Sequence, residues 1–128
     1  MRSEAQIQDE LTLAAAYRGE RLWRNNSGAG EIKASGSYVR WGLGNISRTV
    51  NERFKSADLV GLRSVVITPD MVGRTIGMFY ARECKAEGWE YTGTPDEQAQ
   101  ARWLLLVKNM GGDAAFHNGV DLPVPSVL

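Results

Sequence analysis

Phe79-Tyr80-Ala81-Arg82-Glu83-Cys84-Lys85 is the stretch that decides how this chain is read. It closes Ile76 through Lys85, the longest strand candidate in the sequence, with an acid, one intervening residue and a lysine. Side chains alternate across a strand, so Glu83 and Lys85 project to one face and Cys84 to the other. On that alternation Cys84 is expected to turn toward the core as a small hydrophobe. A carboxylate and an ammonium group side by side at the mouth of a sheet can hold a divalent cation and a phosphate together. The same tripeptide is common by chance, and two exposed charges on a strand ordinarily form a weak surface ion pair. The reading therefore depends on the company these two residues keep.

Downstream, Ala86 to Gly93 reads as a loop holding Trp89 and Tyr91. Thr94-Pro95-Asp96-Glu97 is the clearest helix start in the chain: an N-cap, a proline at the first position and a capping-box glutamate. The helix is expected from Pro95 to about Met110, burying Ala101, Leu104, Leu105 and Val107, until Gly111-Gly112 stops it. Gln98, in its first turn, has an amide that can orient Lys85 or a water, or can simply be solvated. Ala114-Ala115-Phe116 is a candidate short strand. His117 to Leu128, with two prolines, reads as a C-terminal tail, an arm toward a second subunit.

Upstream, Ala57 to Leu62 reads as a strand around Asp58, closed by Gly61. Val65-Val66-Ile67 is a further apolar run, and Thr68-Pro69-Asp70 turns the chain. Glu31 to Lys55 is polar and glycine-rich, a long excursion with one short strand. Ser27-Gly28-Ala29-Gly30 reads as a flexible turn and Arg21 to Asn26 as a short strand. Ser3 to about Tyr17 is an expected helix, with Ser3 as N-cap and Ile7, Leu11, Ala14 and Ala15 as its apolar stripe. Glu4 and Gln8 lie one turn apart beside that stripe. Helix-start electrostatics alone also explains Glu4.

Bulk properties narrow the function classes. The 128 residues suffice for one domain around a single core. Fifteen bases balance fifteen acids, and the isoelectric point is about 6.6, which argues against nucleic-acid binding by bulk charge alone. The distribution is uneven: bases dominate between Arg18 and Lys55, and acids gather at Glu4, Asp9, Glu10 and from Glu83 to Glu97. The longest apolar run, Trp103 to Val107, is far too short to span a membrane. The polar start is no secretory signal, and one cysteine cannot form an internal disulfide, so a cytoplasmic setting is expected. The single histidine, His117, gives little support to a histidine-rich metal site, and a lone cysteine excludes a zinc ribbon.

A hard cation such as Mg²⁺ or Mn²⁺ takes oxygen ligands. Asp58 and Glu83, expected on neighbouring strands, offer two carboxylates, and the backbone carbonyl of Cys84 a third oxygen. Lys85 would face the phosphate and the attacking water. Glu4 would act as an outer carboxylate, through a metal-bound water or a second ion.

The ordered set Glu4, Arg24-Asn25-Asn26-Ser27-Gly28, Ser56-Ala57-Asp58-Leu59, Glu83-Cys84-Lys85 and Thr94-Pro95-Asp96-Glu97-Gln98 resembles a stand-alone VRR-NUC domain. That is the virus-type replication-repair nuclease branch of the PD-(D/E)xK superfamily. The resemblance covers residues 3 to about 116. It implies an α/β fold, a small mixed sheet flanked by helices on a restriction-endonuclease-like core. It also implies a metal-dependent endonuclease acting on branched DNA, of Holliday-junction or flap type, as a homodimer. Residues matching Asp58 and Glu83 would bind metal, the match to Lys85 would assist catalysis, and Glu4 and Gln98 would complete the site. Ala57 stands where the superfamily pattern has proline. Two rival readings stay open: a non-catalytic DNA-binding or scaffolding module on the same fold, and a protein-docking domain using Trp23, Trp41 and Trp89.

Overall fold

In a computed structural model of the chain, which describes residues 1–126, the first helix opens on a capping box. The Ser3 hydroxyl accepts from the Gln6 N–H, and the Gln6 side chain accepts from the Ser3 N–H, which fixes the start of α1 (Glu4–Tyr17). The expected apolar stripe is only partly used. Ala15 is buried and Gln8, Thr12 and Ala14 are half-buried, but Ile7, Leu11 and Leu13 are about half exposed. The helix packs on β1 (Arg21–Arg24) through that narrower, small-residue face.

The chain divides into two compact units, one from Met1 to Gly61 and one beginning at Leu62. In the first, β1 pairs with β4 (Leu59–Leu62). A Cβ on Gly61 would lie 1.8 Å from the Arg21 carbonyl oxygen, so this close approach of the two strands admits only glycine. The supposed turn at Ser27–Gly30 is mostly strand. β2 (Gly28–Glu31) forms an antiparallel hairpin with β3 (Tyr38–Trp41), in register Gly28↔Trp41 to Glu31↔Tyr38. The glycines serve packing, because a Cβ on Gly28 would meet the Trp41 indole at 2.5 Å. Buried Asn45 closes the hairpin: its amide donates to the carbonyls of Gly28 and Trp41, and its oxygen accepts from Arg40. The Glu31–Lys55 excursion thus holds most of a hairpin and a short helix, α2 (Arg48–Arg53), capped by Ser47.

In the second unit a three-stranded sheet runs in the order β5-β6-β7, with α3 (Pro95–Asn109) packed against β6. β5 (Tyr80–Cys84) and β6 (Asp113–His117) are parallel, in register from Tyr80↔Asp113 to Cys84↔His117. The strand expected from Ile76 begins at Tyr80 because its partner begins only at Asp113, after Gly111 and Gly112. From Arg63 to Phe79 the one regular element is a 3₁₀ turn at Pro69–Met71, and Val65, Val66, Ile67 and Val72 are exposed.

Part of the expected tail folds back as β7 (Asp121–Leu122), antiparallel to β6. His117, expected to begin that tail, is the last residue of β6, with Nδ1 2.8 Å from Asp121 Oδ1. Arg82 makes a two-pronged bond to Asp121 and pairs with Asp113, tying all three strands together on one face. These contacts, Asp121 foremost, hold the guanidinium above its usual pKa, and Arg82 with His117 draws Asp121 down. The opposite face meets α3 through Ala114 and Phe116, packed with Ala101, Leu104 and Val107. Fully burying Phe116 or Leu104 contributes about 1.5–3 kcal/mol each. Among the described residues no helix is long and apolar enough to cross a membrane.

Candidate functional site

Glu83 and Lys85 do project from one face of β5, the face that α3 covers, at the carboxyl ends of the parallel pair. The ladder runs one residue past Cys84: the Lys85 N–H donates to the His117 carbonyl at 2.8 Å. The Asp113 N–H donates to Phe79 at the other end, so alternate residues from Phe79 to Lys85 bond to β6. Cys84 falls between them, and its carbonyl is directed away from β6. Its thiol is exposed, contrary to the expected core position, because α3 covers the Glu83 face and leaves the Cys84 face open. The Glu83 carboxylate is half-buried and has no hydrogen-bond or ion-pair partner among the described residues.

Lys85 is held from two sides. Its Nζ donates to Gln100 Oε1 at 2.9 Å and lies 5.2 Å from the centroid of the Trp89 ring and 6.0 Å from that of Phe116. The glutamine that holds Lys85 is therefore Gln100 and not the expected Gln98. Gln98 instead donates to the Gly93 carbonyl at 2.8 Å and secures the turn into the helix. Helix phase explains the difference. Two residues turn the side chain by about 200°, so Gln98 and Gln100 face opposite ways. Gln100 lies three residues from buried Glu97, on its side of the helix, and that phase is the signal by which the sequence could have singled it out.

Glu97 anchors the loop behind this site. It is buried, and its carboxylate accepts from the Thr94 and Thr92 N–H groups, the Thr92 hydroxyl and the Trp89 indole N–H. The Thr94 hydroxyl accepts in return from the Glu97 N–H, completing the capping box. The backbone bond from Thr94 is the largest cause holding the Glu97 pKa down to about 2; burial opposes it, and the bonds from Thr92 add to it. One capping residue thereby fixes the ring of Trp89, on which Lys85 rests.

The other expected site residues belong to the first unit. Asp58 is exposed and immediately precedes β4. Asn25 positions it: the Asn25 N–H donates to the Asp58 carbonyl at 2.8 Å, and the Asn25 amide donates to Ser56 Oγ and the Ala57 carbonyl. Asn25 belongs to the Arg24–Gly28 stretch, and its bonds to Ser56 and Ala57 mark it as a positioning residue for Asp58. Glu4 is exposed in the first turn of α1 and accepts from Gln8 Nε2 at 3.5 Å, so those two residues do sit together. Asp58 and Glu83 were expected on neighbouring strands. In the sheets β4 bonds to β1 and β5 bonds to β6. Within either unit, no three His, Cys, Asp or Glu side chains gather as a ready metal cage among the described residues.

The Glu83 carboxylate and the Cys84 carbonyl in the second unit are hard oxygen donors, and so is the exposed Asp58 carboxylate in the first; a donor of that kind suits Mg²⁺ or Mn²⁺ better than a soft metal. Of the arginines in the basic region, Arg18, Arg24 and Arg48 are paired with Glu20, Asp9 and Glu52. No family model matches this chain, and no curated protein or solved structure is significantly similar to it.

Proposed function

We propose that this chain is a Mg²⁺- or Mn²⁺-dependent endonuclease of the VRR-NUC type, on a restriction-endonuclease-like core. Its substrate is branched DNA, of Holliday-junction or flap form, in replication, repair or phage DNA processing, and it acts as a homodimer. The observation that supports this best is Glu83 and Lys85 on one face at the carboxyl ends of β5 and β6, with the carboxylate unpartnered and the ammonium held by Gln100. Ligands converge on the carboxyl ends of parallel strands in many α/β proteins.

On the VRR-NUC resemblance, Asp58, Glu83 and the Cys84 carbonyl would be the ligands of the cation, and Glu4 would act through a water or a second ion. When bound, such an ion polarises a phosphoryl oxygen and makes hydroxide available near neutral pH. Lys85 stabilises the negative charge that develops on the phosphate, in a position set by Gln100 and the Trp89 ring. Gln98 supports the site by holding the turn into α3.

The test is cleavage of a labelled four-way junction and a flap in Mg²⁺ and in Mn²⁺. Cleavage by the wild type that is lost in Glu83→Ala and in Lys85→Ala, with both variants folded, supports the reading. Undiminished cleavage by those variants overturns it. One observation favours the non-catalytic DNA-binding reading instead: the Lys85 ammonium is already engaged by Gln100 and two aromatic rings. Junction affinity that persists in chelator, with no metal binding by calorimetry, would select that reading.

A further inference from the structure

A cleft of about 310 Å³ lies where the chain leads into β5 and β6, at their amino ends. Val65 and Ile67 line it from one arm of the Arg63–Phe79 segment, Ile76 and Met78 from the other. Met71, from the 3₁₀ turn between the arms, and Met110, at the end of α3, complete an apolar lining. Arg63 also lines the cleft and is already partnered within the chain.

The same segment leaves much of its apolar surface in water. Val65, Val66, Ile67, Val72, Ile76 and Met78 are 55–84% exposed. At roughly 120 Å² of apolar surface per fully exposed side chain, they present about 500 Å². Four of the six line the cleft, and the other two are their close neighbours in sequence. A patch of that size on a soluble chain marks an interaction surface. A standard interface takes about 800 Å² from each partner, of which about 450 Å² is apolar. This segment therefore carries the apolar share of one side of a stable dimer.

Two properties select a second copy of the chain as the occupant. The first is shape. Val66 and Val72, the most exposed of the six, do not line the cleft. A face that carries both projecting side chains and a cleft can meet itself across a two-fold axis, the valines of each copy entering the cleft of the other. The second is charge. From Ser64 to Phe79 the only ionisable residues are Asp70 and Arg74, one of each sign. Both are exposed, and neither has an ion-pair partner among the described residues; Asp70 accepts a bond from the Thr68 hydroxyl. In a two-fold contact, residue i meets j and j meets i, so each Asp70 can pair with the Arg74 across the axis. A segment with no excess of positive charge offers nothing to attract DNA.

We infer that the Arg63–Phe79 segment is the interface of a two-fold homodimer, closed by Val66 and Val72 in the facing clefts and by reciprocal Asp70–Arg74 pairs. Its biological meaning rests on the proposed dimeric nuclease. The interface lies at the amino ends of β5 and β6 and the Glu83–Lys85 pair at their carboxyl ends, so association through this face does not cover that pair.

Sedimentation velocity on the full chain, from about 1 to about 100 µM, tests the inference. The wild type should pass from monomer to dimer within or below that range. Val66→Asp places a charge in an apolar contact and should weaken association at least about 30-fold, the loss at a hot-spot position. Its far-ultraviolet circular dichroism should match the wild type, because Val66 is exposed. Asp70→Arg and Arg74→Asp should each weaken association about 10-fold by setting like charges across the axis, and the double reversal should recover most of it. Three results overturn the inference: a monomer at every concentration, a dimer that Val66→Asp leaves intact, or single reversals that have no effect or are not offset by the double. A dimer with the expected behaviour that cuts neither junction nor flap would sustain the interface and sink the nuclease. Glu83-dependent cleavage by a chain that stays monomeric would do the reverse.

Discussion

Helices α1 and α3 have 14 and 15 residues, and both open on a capping box, Ser3 with Gln6 and Thr94 with Glu97. Yet α1 buries only Ala15, while α3 buries Glu97, Ala101, Leu104 and Val107. The cap sets where a helix begins, and the surface beneath it sets what the helix can bury. α1 rests on the short strand β1 and leaves Ile7, Leu11 and Leu13 about half exposed. α3 lies on β6, whose Ala114 and Phe116 fill the space under it. The caps differ in the same way. Gln6 bonds back only to Ser3, whereas Glu97 also gathers Thr92 and Trp89. In α3 the device that starts the helix also builds the surroundings of Lys85.

The sharpest way to break this contrast is to truncate a side chain in each region. Phe116→Ala should cost about 3–5 kcal/mol in denaturant unfolding. Leu11→Ala, from a position 46% exposed, should cost no more than about 1 kcal/mol. Equal losses would mean that α1 is as firmly seated as α3.

Next in size is the pair of glutamines on α3. Gln100→Ala removes a hydrogen bond to a charged group and, in the proposed nuclease, should slow DNA cleavage about tenfold with little change in melting temperature. Gln98→Ala should leave the rate near wild type and lower stability slightly, since its amide holds the Gly93 carbonyl. Single-turnover rates for the two variants decide which glutamine serves Lys85.

The caps themselves come third. Thr94→Ala should cost about 1–2 kcal/mol and Ser3→Ala about 0.5 kcal/mol, measured as shifts in unfolding midpoint. The smallest effect is on pH dependence. The Glu97 carboxyl is drawn from 4.5 to about 2 in the folded chain, so its contribution is fully present above pH 4.5 and fades as the pH falls toward 2. Glu97→Gln should flatten that part of the stability profile, and a variant as acid-sensitive as the wild type would show that other groups dominate it.

Where the chemistry of a few adjacent residues decides structure, the sequence could be read directly. Thr94-Pro95-Asp96-Glu97 marks its helix start unaided, and alternation along β5 puts Glu83 and Lys85 on one face. Where a distant surface decides, it could not. Cys84 faces outward because α3 covers the other side of β5, and nothing near Cys84 records that. Gly28 and Gly30 read as a turn, because the Trp41 indole that needs Gly28 is thirteen residues away. Gln98 was favoured for its place in the first turn, but helix phase picks Gln100. Ile76 to Phe79 read as strand from composition, and the start of β6 at Asp113 sets the actual limit. The Asn25 bonds to Ser56 and Ala57 span more than thirty residues, so the support of Asp58 had no local signature.

The most direct test of the proposed activity is to locate the ion itself. Crystals of the full chain grown in Mn²⁺ should give an anomalous difference peak coordinated by the Glu83 carboxylate. That peak should vanish in Glu83→Gln. A Mn²⁺ peak that lies away from Glu83, or no peak at saturating metal, would contradict the nuclease reading.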